Sequence, residues 1–309
     1  MEEEEEKVLV QSIQEIYQLI REVSSKKVAV AQAADLHVLQ AIAEAYREGY
    51  IDAVLIGNTA VMKKIAKEND IDLTPFELIE TSDDEAAANL AVKMVHDKQA
   101  DIVMKGLMGS STFLKAVLNK EFGLRKEGTV MSAIAVIELL QLQRITFVTD
   151  LGITPLPDLE TKVNLLNNAV EIAHKFGIEC PKVAAISAAE NINKKMVSSY
   201  EGAELEKMNR EGKIAGCEVA GPISFDLAMS ESAAIEKGYK NPVAGKADVL
   251  LVPSIEVGNV LYKALMLFAD MRTGGIIAGT TAPVVFCSRA DSSSTKKNTL
   301  AMAVYLADR

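Results

Sequence analysis

The chain has 309 residues, 49% apolar and 25% charged, with a formal net charge of −10. That length suits two domains or one large α/β domain with a sizeable core. The negative balance offers no basic field for a nucleic-acid backbone, so an anionic ligand has to be held by a local cluster, and aromatics at 5% with no Trp leave little for base stacking.

In chain order, residues 8–23 place Val8, Leu9, Ile13, Ile16, Ile20 and Val23 at helical spacing. The run of glutamates before them suits a helix N-terminus. Strand-length apolar runs follow at 28–32, 51–56, 76–79 and 102–104, separated by helical patterns at 36–47, 60–67 and 83–95, the last expected to be capped by Ser82. Strict alternation of this kind predicts βαβ units and a parallel sheet with helices on both faces. Ligands of such sheets sit beyond the carboxyl ends of the strands. At 110–118 the sequence SSTFLKAVL sets Ser110, Ser111 and Thr112 where a strand hands over to a helix, with Lys115 one turn on. The triplet reads either as an anion site or as a plain helix cap.

A second block begins near Thr129. It predicts strands at 145–148, 183–187, 214–219 and 249–252, helices at 159–176, 191–210, 230–237 and 257–269, and a break at Pro155 and Pro157. Residues 274–279 have linker composition. They lead to PVVFCSRADSSSTKKNTL (283–300), a strand, a polar turn and a helix start. Free N–H groups and a positive dipole end point at an anion in that arrangement, and Arg289 adds a planar fork for phosphate oxygens. The expected organisation is a discontinuous first domain, 1–128 plus 277–309, and a second domain, 129–276.

No GxGxxG follows a strand, and no GxxxxGK[ST] or GxSxG is present. The cysteines (Cys180, Cys217, Cys287) form no CxxC, and the histidines (His37, His96, His174) form no HExxH, which fits a reducing cytosol and no metal site. Met1 and five glutamates have the wrong sign for a secretory leader, and no apolar run approaches the roughly 18 residues of a membrane span. The expectation is a cytoplasmic protein with no membrane or nucleic-acid partner. Cys287 reads as strand packing, since no basic or His partner adjoins it.

The ordered segments GPISFDLA (221–228), PVAGKADVLLVPSIEVGNVLYK (242–263) and SRADSSSTKKNTLA (288–301) resemble the C-terminal half of the phosphate acetyl/butyryltransferase family. VAVAQAADLHVLQAI (28–42) and MKGLMGSSTFLKAVL (104–118) are similar to its butyryl branch. The resemblance implies two α/β domains with a cleft between them, of the isocitrate/isopropylmalate dehydrogenase type. It also implies acyl exchange between coenzyme A and phosphate without metal or cofactor, in a homodimer. Ser288 and Arg289 match the family's SR pair, the serine toward the thiol or acyl group and the arginine toward phosphate. Lys115 falls where acetyl-branch members carry a cleft arginine. The acetyl branch has an aspartate base where this chain has Thr295, leaving Asp291 as the carboxylate of the turn and a candidate proton acceptor or helix cap. Ser110, Ser111, Thr112, Asn259 and Lys263 complete the candidate contacts, and Asp226 is a further polar group, a supporting residue or a cap. The alternatives are a phosphate acetyltransferase acting on acetyl-CoA and, more remotely, a β-decarboxylating dehydrogenase of the related fold. The dehydrogenase requires a metal-binding aspartate cluster and a cofactor segment, and neither is found in the sequence.

Overall fold

The computed structural model describes residues 8–308; the glutamates at 2–6 lie outside them. The described chain divides into two compact units, one of residues 13–129 with 273–308 and one of residues 8–12 with 130–272. From residue 13 the elements are α1 (Ile13–Leu19), β1 (Lys26–Ala31), α2 (Leu36–Arg47), β2 (Ile51–Gly57), α3 (Thr59–Glu68), β3 (Glu77–Glu80), α4 (Asp84–His96), β4 (Ile102–Lys105) and α5 (Ser110–Val117). Then come β5 (Ser132–Leu139), β6 (Arg144–Thr149), α6 (Leu159–Lys175), β7 (Lys182–Ile186), α7 (Val197–Arg210), β8 (Glu218–Ile223), α8 (Phe225–Met229), α9 (Glu231–Glu236), β9 (Val249–Leu251) and α10 (Ile255–Phe268). The chain ends with β10 (Met271–Ala278), β11 (Val284–Val285) and α11 (Ser293–Ala307).

The strands of the 13–129 unit run in the order β3-β2-β1-β4-β11-β10, parallel except where β11 meets β10. Those of the 130–272 unit run β5-β6-β9-β7-β8, parallel except for the β5–β6 pair. The sheets are therefore mixed rather than wholly parallel, and the α/β class stands. Strand β1 is buried from Val28 to Ala31 and β4 along its whole length, as expected of strands covered on both faces. Helix starts carry short acceptors: Asp35, Asn58 and Asp158 each accept an N–H three residues on.

Several elements differ from expectation for identifiable reasons. Asp83, not Ser82, caps α4, accepting from the Ala86 N–H at 2.6 Å. The helix expected over 8–23 shrinks to α1 and a 3₁₀ turn, Ile20–Glu22, because the Val10 N–H is bonded to the Phe176 carbonyl at 2.9 Å. Residues 274–278 belong to strand β10, not a linker, and Gly279 follows its end. Gly274 serves contact there: a Cβ would lie 2.8 Å from Met302 Sδ and 2.9 Å from Thr299 Oγ1, so the glycine lets α11 lie on the strand. Strand β5 gave no alternating pattern because every one of its residues is buried. Helix α7 begins at Val197 rather than 191, and β8 at Glu218 rather than 214. Among the described residues no helix is long and apolar enough to cross a membrane.

Candidate functional site: two neighbouring strand-to-helix turns

Strands β4 and β11 are parallel neighbours, with Val284 opposite Val103 and Val285 opposite Met104. Their carboxyl ends therefore lie side by side, each feeding a turn and then a helix. The β4 exit is pressed onto the β1 exit: the Gly106 N–H donates to Ala31 O and the Leu107 N–H to Gln32 O, both at 2.8 Å. A Cβ on Gly106 would fall 2.1 Å from Gln32 O, so only glycine permits this approach.

Helix α5 starts without a side-chain cap. Its N-cap is Gly109, and Ser110 and Ser111 stand exposed in the first turn with Thr112 half-buried behind them. The plain capping role open to Ser110 or Ser111 is not what the structure shows, and the first N–H groups of α5 carry no side-chain acceptor. Lys115, 71% exposed at its side chain, gives its ammonium to Glu85 of α4 at 2.8 Å.

The turn after β11 is closed by its own groups. The Ser288 N–H donates to Asp291 Oδ2 at 2.7 Å, and the Asp291 N–H donates back to Ser288 O at 3.2 Å. Ser288 and Arg289 are exposed while Asp291 is only 4% exposed. Ser292, not Asp291, caps α11: its Oγ accepts from the Thr295 N–H at 3.2 Å and lies 3.1 Å from Thr295 Oγ1. Thr295 is buried within that cap. The rings of Phe113, in the first turn of α5, and Phe286, just after β11, are stacked with centroids 6.4 Å apart and join the two segments.

Two buried lysines sit under this turn. Lys105, the last residue of β4, is 2% exposed and donates to Cys287 O at 3.1 Å and Gly106 O at 3.4 Å. Lys296, also 2% exposed, donates to Asp291 O and, at 3.3 Å, to Ser288 O. Burial holds the Lys105 ammonium below its ordinary pKa; the Arg289 and Lys296 cations act the same way, opposed by Cys287 and Asp291. Cys287 is buried between them and burial pushes its thiol up to about 11, which leaves it a neutral packing group at pH 7.

The remaining candidates belong to the 130–272 unit. Asn259 is exposed on α10, and Lys263 holds its ammonium 5.2 Å from the Tyr262 ring centroid. Asp226 pairs with Lys237 at 2.9 Å on the surface. Among the described residues no group of three His, Cys, Asp or Glu side chains comes together as a metal site.

The sequence model of the Phosphate acetyl/butaryl transferase family matches residues 11–90 and 85–304. The chain belongs to this family. It is 46% identical over 97% of its length to a phosphate butyryltransferase of Clostridium acetobutylicum, covering 99% of that protein. It is 39% identical over 91% of its length to a phosphate acetyltransferase of Thermotoga maritima, covering 95% of it. Among solved structures it resembles a branched-chain phosphotransacylase from Enterococcus faecalis V583, with TM-score 0.80 and 34% identity over 91% of this chain and 99% of that one.

Within the family frame, the structure gathers Ser288, Arg289 and Asp291 in one turn with Thr295 in the first turn of the helix that follows, and sets Ser110, Ser111 and Thr112 at the start of the helix after the neighbouring strand. Lys105 and Lys296 were not singled out by sequence. Their signal was nonetheless present: Lys105 ends an apolar strand run, IVMK, and Lys296 falls on the helix face of Leu300 and Ala303, both buried. A lysine at a core-facing position is unusual enough to mark a constraint.

Proposed function

We propose that this protein exchanges an acyl group between coenzyme A and inorganic phosphate, with a butanoyl-like chain: butanoyl-CoA + phosphate gives butanoyl phosphate + CoA. The observation that carries the reading is the exposed Ser288–Arg289 pair at the carboxyl end of β11, next to the uncapped start of α5 at the end of β4. Arg289 holds phosphate through its planar fork. A phosphate oxygen forms a bond to the thioester carbon, the carbonyl oxygen takes up negative charge, and the C–S bond then breaks with its electron pair leaving on sulfur. Ser288 Oγ lies toward the reacting carbonyl and sulfur, and N–H donors beside it stabilise the oxyanion. The thiolate gains a proton to give CoA; in the reverse direction Asp291 accepts that proton. Ser110, Ser111 and Thr112 with the N–H groups of α5 bind substrate phosphates, with Lys115, Thr295, Asn259 and Lys263 as further contacts.

Coenzyme A thioester and phosphate are the substrates, and the proposal needs no further cofactor. It also takes the two units as the domains of an isocitrate/isopropylmalate dehydrogenase-type cleft, in a cytoplasmic homodimer. The dimer part is supported by α10, a 14-residue helix whose only buried residue is Gly258 and whose Val260, Leu267 and Phe268 are exposed, the last by 88%. An apolar face of this kind suits a second copy. The acetyl-CoA reaction is the second reading, favoured by the Thermotoga maritima relative.

The test is release of thiol from butyryl-CoA and acetyl-CoA, with and without phosphate and with and without chelator. Phosphate-dependent release that survives chelation and is faster with butyryl-CoA is expected. Release independent of phosphate would overturn the reading, and faster acetyl transfer would replace the acyl chain.

A further inference from the structure

The turn that presents Ser288 and Arg289 has an inner side made of carbonyl oxygens. Cys287 O and Asp291 O make buried bonds and Ser288 O a part-buried one, so each needs a donor. In a strand-end turn these donors could have been backbone amides. Here Ser288 O takes the Asp291 N–H, and ammonium groups reach all three: Lys105 reaches Cys287 O from the end of β4, and Lys296 reaches Ser288 O and Asp291 O from the first turn of α11. A buried lysine is costly, and an apolar residue at 105 would simply extend the Ile102–Met104 run.

We propose that Lys105 and Lys296 are positioning residues for the transfer site, turning the carbonyls of the Cys287–Asp291 turn inward so that Ser288 and Arg289 face the anionic substrate. This rests on the acyl-transfer reading. The consequence is electrostatic as well as geometric. With the negative carbonyl ends drawn inward, the outer face of the turn does not repel phosphate, and two positive charges lie beneath it. Neither lysine touches substrate; both act through the turn. The depressed pKa of Lys105 agrees with a group kept charged at a cost in stability.

The division of labour is visible on α11 itself. Lys297, next in sequence, turns outward to Glu48 at 2.9 Å and Glu44 at 3.2 Å and has no contact with the turn among the bonds it makes there. Lys297→Met is therefore the control.

Lys105→Met and Lys296→Met, near in size but uncharged, are compared with it at equal folded concentration. With butyryl-CoA and phosphate, kcat is expected to fall about 100-fold in either variant, the size of a roughly 1 Å misplacement of reacting groups. KM for phosphate should rise while KM for the thioester stays, and Lys297→Met should behave as wild type. Variants that lose thermal stability but keep kcat and the phosphate KM would overturn the proposal, since that is what a structural lysine alone would do. A second measurement needs no activity: hydrogen exchange of the 287–292 amides in the ligand-free protein should be at least roughly tenfold faster in Lys296→Met, a loss of about 1.4 kcal/mol of local stability. Unchanged exchange there would also overturn it. Wild-type protein without phosphate-dependent thiol release would defeat the acyl-transfer reading alone, and the exchange result would still decide whether the lysines fix the turn.

Discussion

The turn after β4 and the turn after β11 look alike in sequence, since each brings a run of Ser and Thr where a strand hands over to a helix. They are wired in opposite ways. The 286–292 turn is satisfied from within: Asp291 binds Ser288, Ser292 caps α11, and two lysines take the carbonyls. The 106–109 turn is held at its base by Gly106 against β1, while its helix start has only Gly109 as N-cap and no side-chain acceptor. One turn is a rigid platform for two exposed side chains; the other is an open set of backbone donors. A hydroxyl triplet therefore does not define an anion site by itself. What decides is whether the hydroxyls already serve the helix they precede.

The largest expected effect comes from the platform. Arg289→Ala removes an exposed side chain and should leave the fold intact, but lower kcat by roughly 100- to 1000-fold, as loss of one oxyanion-type contact does. Circular dichroism and turnover at saturating phosphate check both halves. Next is Asp291→Asn. If its carboxylate accepts the thiol proton, kcat should fall by about 100-fold in the direction from CoA to thioester, and the acidic limb of the pH–rate profile should vanish. Because Ser292 is the cap, thermal stability reports on the bond from the Ser288 N–H, which the amide oxygen of Asn still accepts, and on loss of the carboxylate charge that favours the Lys105 ammonium.

The contrast between the helix starts is sharpened by a pair of variants. Gly109→Asp has room, its Cβ meeting nothing nearer than Thr112 Oγ1 at 3.8 Å. It should add a cap and stabilise the fold by about 0.3–1 kcal/mol. It should also place a carboxylate where substrate anions bind, raising their KM on the order of tenfold, equivalent to about 1.4 kcal/mol. Ser292→Ala should do the reverse at α11, costing about 1 kcal/mol of stability with KM unchanged. Denaturant melts and steady-state kinetics on both variants check the pair.

The smallest effect is a pH dependence. The Lys105 ammonium has a lower pKa folded than its ordinary 10.5. Between the lowered value and 10.5 the unfolded chain binds more protons at this position, so stability rises with pH across that window. Below it the penalty of the buried charge is fully present. The stability of wild type relative to Lys105→Met is thus expected to improve as pH climbs toward 10.5, by urea melts at successive pH values. A difference that does not change with pH would show that the buried ammonium carries no such penalty.

Much of this was legible in the sequence. The βαβ alternation placed β1, β2 and β4 and their helices because their apolar runs are bounded by clear turn residues. The SR pair and the serines after it marked the platform. What escaped were features set by neighbours distant in sequence. Strand β10 contains Gly274 and Gly275, which read as a linker until α11 is seen lying on Gly274. Strand β5 is buried on every residue and so lacks a period. Lys105 and Lys296 are 191 positions apart in the chain and meet only because β4 and β11 are neighbours. The choice of Ser292 over Asp291 as cap depends on the closure of the preceding turn, which no spacing rule encodes.

In the proposed reaction the two turns form one substrate site. Hydrogen exchange of the wild-type protein, with and without coenzyme A and phosphate together, tests it most directly. Joint protection of amides in 104–118 and 284–300 is the expected result, with the other strand ends unchanged. Protection of one segment without the other would contradict a shared site.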